Sequence, residues 1–260
     1  MNNLKIVFIA FNENSLGRRI FNGLVKSENP PIHTLMASSK ALKKFRKNGI
    51  KRYYNQNGLF NTLWRMYYRL TVRRDIRRSS VKLDSSLNIS IQELCKKEAI
   101  PISFFDNLND EYFTNQLRQL GPDLIVLGGA PIIKKNIIKI PRIGVLNSHP
   151  GVLPFAKGMD VVSQSILEGI PLGATVFKVD EGIDTGSILL TKHLEGGCAG
   201  LKLHEIEAKV EELSAIAMLE AIELIANGDY KFIPQIEKGN LFKALDFDKY
   251  LKVVSILKRN

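Results

Sequence analysis

One stretch of this chain carries residue types that suit acyl transfer. Asn147 and His149 lie two residues apart in the run 144–154, and Asp184 follows in a glycine-flanked loop. Side chains at positions i and i+2 of a strand lie on the same face, so the amide and the imidazole should point together. An amide that donates to an oxyanion, an imidazole and a carboxylate can together stabilise charge and move a proton. These residues therefore predict a site for acyl transfer.

The elements that must position these residues alternate along the chain. Apolar runs of strand length are separated by segments with helical periodicity, which is typical of an α/β protein with a doubly wound, mostly parallel sheet. Ligands of such sheets bind beyond the carboxyl ends of the strands, and Asn147 lies at one of these ends. Strands are predicted at 4–10, 33–37, 102–104, 123–127, 144–147, 175–179 and 188–191, and helices at 16–26, 90–98, 111–120, 161–168 and 203–226.

The size of the chain indicates one domain with a small appendage. Its 260 residues, 45% of them hydrophobic, suffice for a buried core. We expect a catalytic domain over 1–230, with an insertion at about 40–84, and a short C-terminal extension over 231–260. No apolar run reaches the roughly 18 residues of a spanning helix, and the N-terminus lacks the features of a signal peptide. Cys95 and Cys198 match no metal or redox spacing, so a cytoplasmic protein with reduced thiols is predicted.

The insertion carries nearly all of the positive charge. Residues 40–82 hold fourteen Lys and Arg against one acid, a net of +13, whereas the whole chain is +11. The segment is predicted to be irregular apart from a basic amphipathic helix, because Leu59, Leu63, Tyr67 and Leu70 recur at helical spacing. Its seven aromatic residues among cations favour a diphosphate-bearing substrate first, then an anionic membrane surface, and RNA last. The alternative is a solvated helix whose aromatic residues pack on the domain.

The loop after the first strand contains a lone glycine, Gly17, so a dinucleotide-binding fingerprint is excluded. Amides at the following helix start can still hold a phosphate, with Asn12 and Ser15 beside them. An ordinary turn is the alternative reading of this loop.

Taken together, three motifs resemble the signature of the folate-dependent formyltransferases. They are Asn147-Ser148-His149-Pro150, Leu153-Pro154 and Asp184-Thr185-Gly186, and the similarity extends over roughly residues 85–195. The resemblance implies a Rossmann-like formyltransferase fold in which Asn147, His149 and Asp184 are catalytic. It also implies 10-formyltetrahydrofolate as co-substrate and no metal. In that family one wall of the pterin pocket corresponds here to Pro131, Ile132 and Ile133, and the closing loop to Val179, Asp180, Glu181 and Ile183.

The acceptor is the open part of this interpretation. The layout is most similar to single-domain sugar N-formyltransferases, so the expected acceptor is a primary amine on an amino sugar nucleotide, contacted by Asn12, Ser15 and Lys157. The chain lacks the length for the extra domain of methionyl-tRNA formyltransferases and the glycine-rich loop of the glycinamide ribonucleotide enzymes. Both remain alternatives, as do a formyltetrahydrofolate hydrolase and a non-catalytic relative that binds RNA or membrane. Nucleic acid is the disfavoured partner, and a homodimer is compatible with the sequence.

Overall fold

A seven-stranded sheet forms the centre of the molecule. The structure, a computed structural model, describes residues 4–83, 85–129, 131–196 and 198–259. Its strands are β1 (Ile6–Ala10), β2 (His33–Ala37), β3 (Ile102–Phe105), β4 (Leu124–Leu127), β5 (Gly144–His149), β7 (Gly173–Lys178) and β8 (Ile188–His193), and a separate pair consists of β6 (Ala156–Gly158) and β9 (Asn240–Phe242). Five parallel strands lie in the order β3-β2-β1-β4-β5, and two antiparallel strands, β7 and β8, extend the sheet beyond β5.

The predicted α/β fold class is confirmed. Every residue of β1 and β4 is buried, because helices cover both faces of a parallel sheet. The helices are α1 (Ser15–Lys26), α2 (Ser39–Leu83), α3 (Ile91–Lys97), α4 (Glu111–Leu120), α5 (Lys135–Ile138), α6 (Val161–Glu168), α7 (Leu203–Asn227) and α8 (Phe247–Arg259). One apolar core lies on the face covered by α1 and α7, and a second lies on the face covered by α4 and α5.

The insertion differs from its prediction in its regularity. Instead of being irregular, it is helical throughout α2, with one break at Gly58, where φ is 75° and ψ is 179°. The side marked by Leu59 and Leu63 is exposed, whereas Trp64 and Tyr68 are buried. These two rings pack with aromatic residues of the C-terminal extension, which the helical pattern alone could not reveal. Asp84, the last residue of the predicted insertion, lies outside the described residues.

The C-terminal extension is folded against the rest of the chain. Strand β9 pairs in parallel with β6, and Ile233 forms an antiparallel bridge with Ile188. Helix α8 packs on α6 and on α2. Residues from 231 onwards therefore hold the insertion helix and the loop after β5 in one arrangement.

Candidate active site

Strand β5 presents the amide and the imidazole on one face of the sheet. Between Asn147 and His149, Ser148 points the other way, and its hydroxyl donates to the carbonyl of Ser214 in α7 over 2.8 Å. The neighbouring strand β7 pairs with both positions, with Phe177 opposite Asn147 and Thr175 opposite His149. Asn147 remains half-buried, whereas His149 is 5% exposed. The strand period thus places the amide at the surface of the site and the imidazole in its floor.

A carboxylate from a distant loop meets the imidazole. His149 Nδ1 lies 3.6 Å from Asp184 Oδ2, and only 6% and 15% of the two side chains are exposed. The same Asp184 oxygen accepts a hydrogen bond from the Gly158 amide over 2.9 Å. Asp184 adopts a left-handed backbone conformation with φ of 53°, which aspartate tolerates better than most residues. Gln235 holds this backbone by donating to the carbonyls of Asp184 and Gly186 at 3.0 and 2.8 Å.

Burial sets the protonation of the imidazole. His149 Nε2 lies 2.8 Å from the carbonyl oxygen of Ala156, which can only accept, so Nε2 carries the hydrogen. Burial lowers the pKa of His149, and the charge of Asp184 with the Ala156 carbonyl only partly opposes that shift. The neutral ring therefore presents the lone pair of Nδ1 towards Asp184.

The loop between β5 and β6 closes over the imidazole. Thr175 holds this loop in place, because the Thr175 hydroxyl donates to the Gly151 carbonyl at 2.9 Å and accepts from the Leu153 amide at 3.1 Å. A Cβ at Gly151 would lie 3.1 Å from ring atoms of His149, so a larger residue there would press on the ring. Lys157, the middle residue of β6, is buried between the Ala156 carbonyl at His149 and the Gly158 amide at Asp184.

The first wall expected for the pterin follows β4. Pro131 is half-buried, the Ile132 side chain is 68% exposed and Ile133 is buried in the core. The Asn109 side chain pins this segment by donating to the Ile132 carbonyl at 3.3 Å and accepting from the Lys134 amide at 2.9 Å. The segment therefore offers one exposed apolar side chain on a held backbone.

The second wall follows β7 and is joined to the first. Val179 anchors it, because its amide donates to the Val145 carbonyl over 2.8 Å. The Asp180 carboxylate accepts from the Gly182 amide and the Thr185 hydroxyl, which shapes the loop. Glu181 forms an ion pair of 2.6 Å with Lys135, the first residue of α5 after the other wall. Ile183 is 47% exposed. The two segments thus lie side by side with an exposed isoleucine on each.

The loop after β1 lines a separate cleft of about 410 Å³ at the carboxyl ends of β1, β2 and β3. Asn12 lies in this cleft, and its oxygen accepts from the Asn14 side chain at 2.8 Å. Ser15 instead donates its hydroxyl to Glu211 in α7. β4 alone separates β1 from β5, so the axes of the strands that lead to Asn12 and to Asn147 are about 10 Å apart. The lining residues are Phe11, Asn12, Glu13, Met36, Ala37, Ser38, Ser39, Leu42, Gln92 and Phe104.

Sequence reasoning missed a buried ion pair behind the site. Arg65 of α2 donates two hydrogen bonds to Asp160, at 2.5 and 3.0 Å, and 6% of its side chain is exposed. Asp160 also accepts from the Leu245 amide at 2.7 Å and lies two residues after Gly158. Among fourteen cations of the insertion no sequence signal distinguishes Arg65. Gln235, the other missed residue, is an ordinary polar residue of the extension.

Comparisons with known proteins agree on one family. A model described as formyl transferase matches residues 82–222. A methionyl-tRNA formyltransferase of Prochlorococcus marinus (strain AS9601) is 31% identical over 147 residues, which cover 54% of this chain and 44% of that protein. The chain thus spans less than half the length of this curated relative.

Two solved structures share the fold. The formyltransferase PseJ from Anoxybacillus kamchatkensis, in complex with UDP-4,6-dideoxy-4-formamido-L-AltNAc and tetrahydrofolate, has a TM-score of 0.51 and 24% identity, covering 64% of this chain and 91% of that one. A phosphoribosylglycinamide formyltransferase from Anaplasma phagocytophilum has a TM-score of 0.60 and 13% identity, covering 94% and 100%. The region matched by the family model exceeds half of the sequence and includes Asn147, His149 and Asp184, and the chain belongs to the formyl transferase family.

Proposed function

We propose that this protein transfers a formyl group from 10-formyltetrahydrofolate to a primary amine of an amino sugar carried on a nucleotide. The observation that carries the proposal is the 3.6 Å approach of His149 and Asp184 beneath the half-exposed Asn147. The reaction needs a donor for an oxyanion and a base for an ammonium proton, and these residues supply both.

The roles of the three side chains follow from their burial. Asn147 donates to the formyl oxygen as the amine adds to the formyl carbon, a contribution of about 10²–10³ in rate. His149 Nδ1 receives the proton that the new C–N bond releases from the amine, and Asp184 stabilises the imidazolium. The proton then passes to the nitrogen of the leaving folate as its bond to the formyl carbon breaks. The Nδ1–Oδ2 distance is longer than a hydrogen bond, as is usual before a substrate is bound.

The residues present fit a pterin ring. Ile132 and Ile183 offer apolar contact for the ring faces, and the loop 179–183 offers backbone groups for its polar edge. Lys135 and Glu181, whose side chains are mostly exposed, form an ion pair between the two walls. The family supports this placement, and the PseJ structure contains tetrahydrofolate.

The cleft beside Asn12 supports the choice of acceptor. It combines two aromatic side chains, Phe11 and Phe104, with polar groups such as Ser38. An acceptor anchored there by its nucleotide extends its amine along the same edge of the sheet, past β4, to Asn147. We assign Asn12, Ser15 and Lys157 to this acceptor, and residues 1–230 to the catalytic domain. The PseJ structure contains a UDP-linked formamido sugar.

A second candidate is methionyl-tRNA as acceptor. The curated relative from Prochlorococcus marinus is a methionyl-tRNA formyltransferase, and the insertion has the positive charge that a phosphate backbone needs. The insertion also exposes aromatic side chains such as Phe60 and Tyr67, which can stack on bases, but the cleft beside Asn12 suits a small nucleotide-linked acceptor, so we rank methionyl-tRNA second.

Mass spectrometry of reactions with different acceptors tests the proposal. The purified protein receives 10-formyltetrahydrofolate with amino sugar nucleotides, glycinamide ribonucleotide, initiator methionyl-tRNA or no acceptor. The proposal predicts a formylated amino sugar nucleotide and a matching amount of tetrahydrofolate. Product only from methionyl-tRNA or from glycinamide ribonucleotide would overturn the acceptor, and formate released equally without acceptor would indicate a hydrolase.

A further inference from the structure

The second half of α2 turns an apolar face to solvent. After the break at Gly58, exposed fractions are 62% for Leu59, 57% for Leu63, 65% for Tyr67 and 73% for Leu70. Met66, on the same side of the helix, is 44% exposed. Residues spaced by three and four lie on one side of a helix, so these five form a continuous stripe, which we call the outer apolar face.

The opposite side of the helix fixes this orientation. Trp64 and Tyr68 are buried against Leu245 and the rings of the extension. Arg65 is held by Asp160, and the Thr62 side chain is also buried. Rotating the helix to hide the outer apolar face would break the buried ion pair. The exposed stripe is therefore a stable feature of the fold.

The charge around the stripe selects its partner. The insertion carries a net of +13. Arg74 and Arg78 lie 3.8 and 3.9 Å from Asp75, and their side chains remain 61% and 71% exposed. Two copies of this face would bring like charges together. Four of the five side chains of the outer apolar face, all except Tyr67, are leucine or methionine, which offer no stacking surface to a nucleobase and gain by leaving water for an apolar phase. Anionic lipid offers negatively charged headgroups to the cations and an apolar phase to the leucines.

We propose that the outer apolar face, together with the flanking cations of α2, binds the surface of an anionic lipid bilayer. The helix lies in the interface rather than crossing it, since none of the helices in the described residues is apolar enough over sufficient length to span a bilayer. Its leucines enter the boundary between headgroups and acyl chains, while the arginines contact phosphate groups.

Vesicle sedimentation tests this proposal. The full chain should co-sediment with phosphatidylcholine vesicles that contain phosphatidylglycerol, and far less with phosphatidylcholine alone. The variant Leu59→Ser/Leu63→Ser/Leu70→Ser should partition on the order of a hundredfold more weakly. A matched variant, Ile32→Ser/Tyr112→Ser/Leu251→Ser, removes three exposed apolar side chains elsewhere and should bind like the unchanged protein.

The outcomes separate lipid from other partners. Equal vesicle binding by the unchanged protein and the triple leucine variant would overturn the proposal, because charge alone would then explain attachment. Vesicle binding absent in the unchanged protein, with a concentration-dependent dimer that the leucine changes abolish, would assign the face to a second copy instead. Thermal unfolding monitored by circular dichroism should show that all three proteins are folded at the temperature of the vesicle assay.

Discussion

Replacing Arg65 with methionine should destabilise the protein by about 3–5 kcal/mol, because breaking a buried ion pair leaves the other charge unpaired. The guanidinium is almost fully enclosed and donates two hydrogen bonds to Asp160. It also lies 5.5 and 5.9 Å from the ring centres of Tyr68 and Tyr53. Each such contact contributes about 0.5–1 kcal/mol. The expected loss of stability for Arg65→Met therefore lies in the upper part of the range of about 3–5 kcal/mol.

The double variant Arg65→Met/Asp160→Asn separates the pair from its surroundings. Removing both charges leaves no uncompensated ion, so its loss should be smaller than the sum of the two single losses. Urea unfolding followed by fluorescence reports directly on this cluster, since Trp64 is the one tryptophan of the chain and packs beside Tyr68. Circular dichroism measured in parallel reports on the whole fold.

A matched exposed pair provides the control. Lys40 and Asp106 lie 3.1 Å apart with side chains 83% and 51% exposed, so Lys40→Met should have little measurable effect. If Arg65→Met loses less than about 1 kcal/mol, the pair behaves like an exposed one, and the burial on which this reasoning rests is refuted. If the stability losses of Arg65→Met and Asp160→Asn simply add up in the double variant, that result would contradict the reasoning equally.

Three further perturbations test other parts of the site. Burial lowers the pKa of His149, so the unfolded chain binds protons more readily, and stability should fall as pH drops below about 6.5; in His149→Gln, urea unfolding across this range should show a smaller fall, and an identical pH dependence would contradict the assignment. Ile132→Asp should weaken binding of a non-reactive folate analogue by at least about tenfold, because a charge replaces an apolar contact; unchanged affinity in titration calorimetry would place the pterin elsewhere. Asn147→Ala should lower kcat by about 10²–10³ with folate affinity little changed; near-normal turnover would remove the amide from the mechanism.

Most of the fold was predictable from local sequence patterns. Helix α4 has the predicted bounds because Asp110 caps its first turn and Gly121 ends it in a left-handed conformation. Strands β1 and β4 were evident as continuous apolar runs, since a parallel sheet buries both of their faces. The insertion was not predictable in this way. Its buried side is chosen by rings such as Phe247 and Tyr250, which lie far along the chain.

Part of the candidate site was likewise predictable from local sequence patterns, and part was not. The strand period was enough to place Asn147 and His149 on one face. The lowered pKa of His149 depends on a loop that folds back over the ring, which spacing does not encode. The support from Gln235 and from the pair of Arg65 with Asp160 comes from segments distant in sequence.

The most direct test of the central claim is a paired measurement on His149→Gln, of formyl transfer turnover and of folate affinity. Glutamine cannot take up the amine proton, so turnover at saturating substrates should fall by about 10²–10⁴, while a non-reactive folate analogue should bind almost as before. Turnover close to that of the unchanged protein would contradict the account. Loss of turnover in equal proportion to loss of folate affinity would contradict it too, because His149 would then serve binding rather than proton transfer.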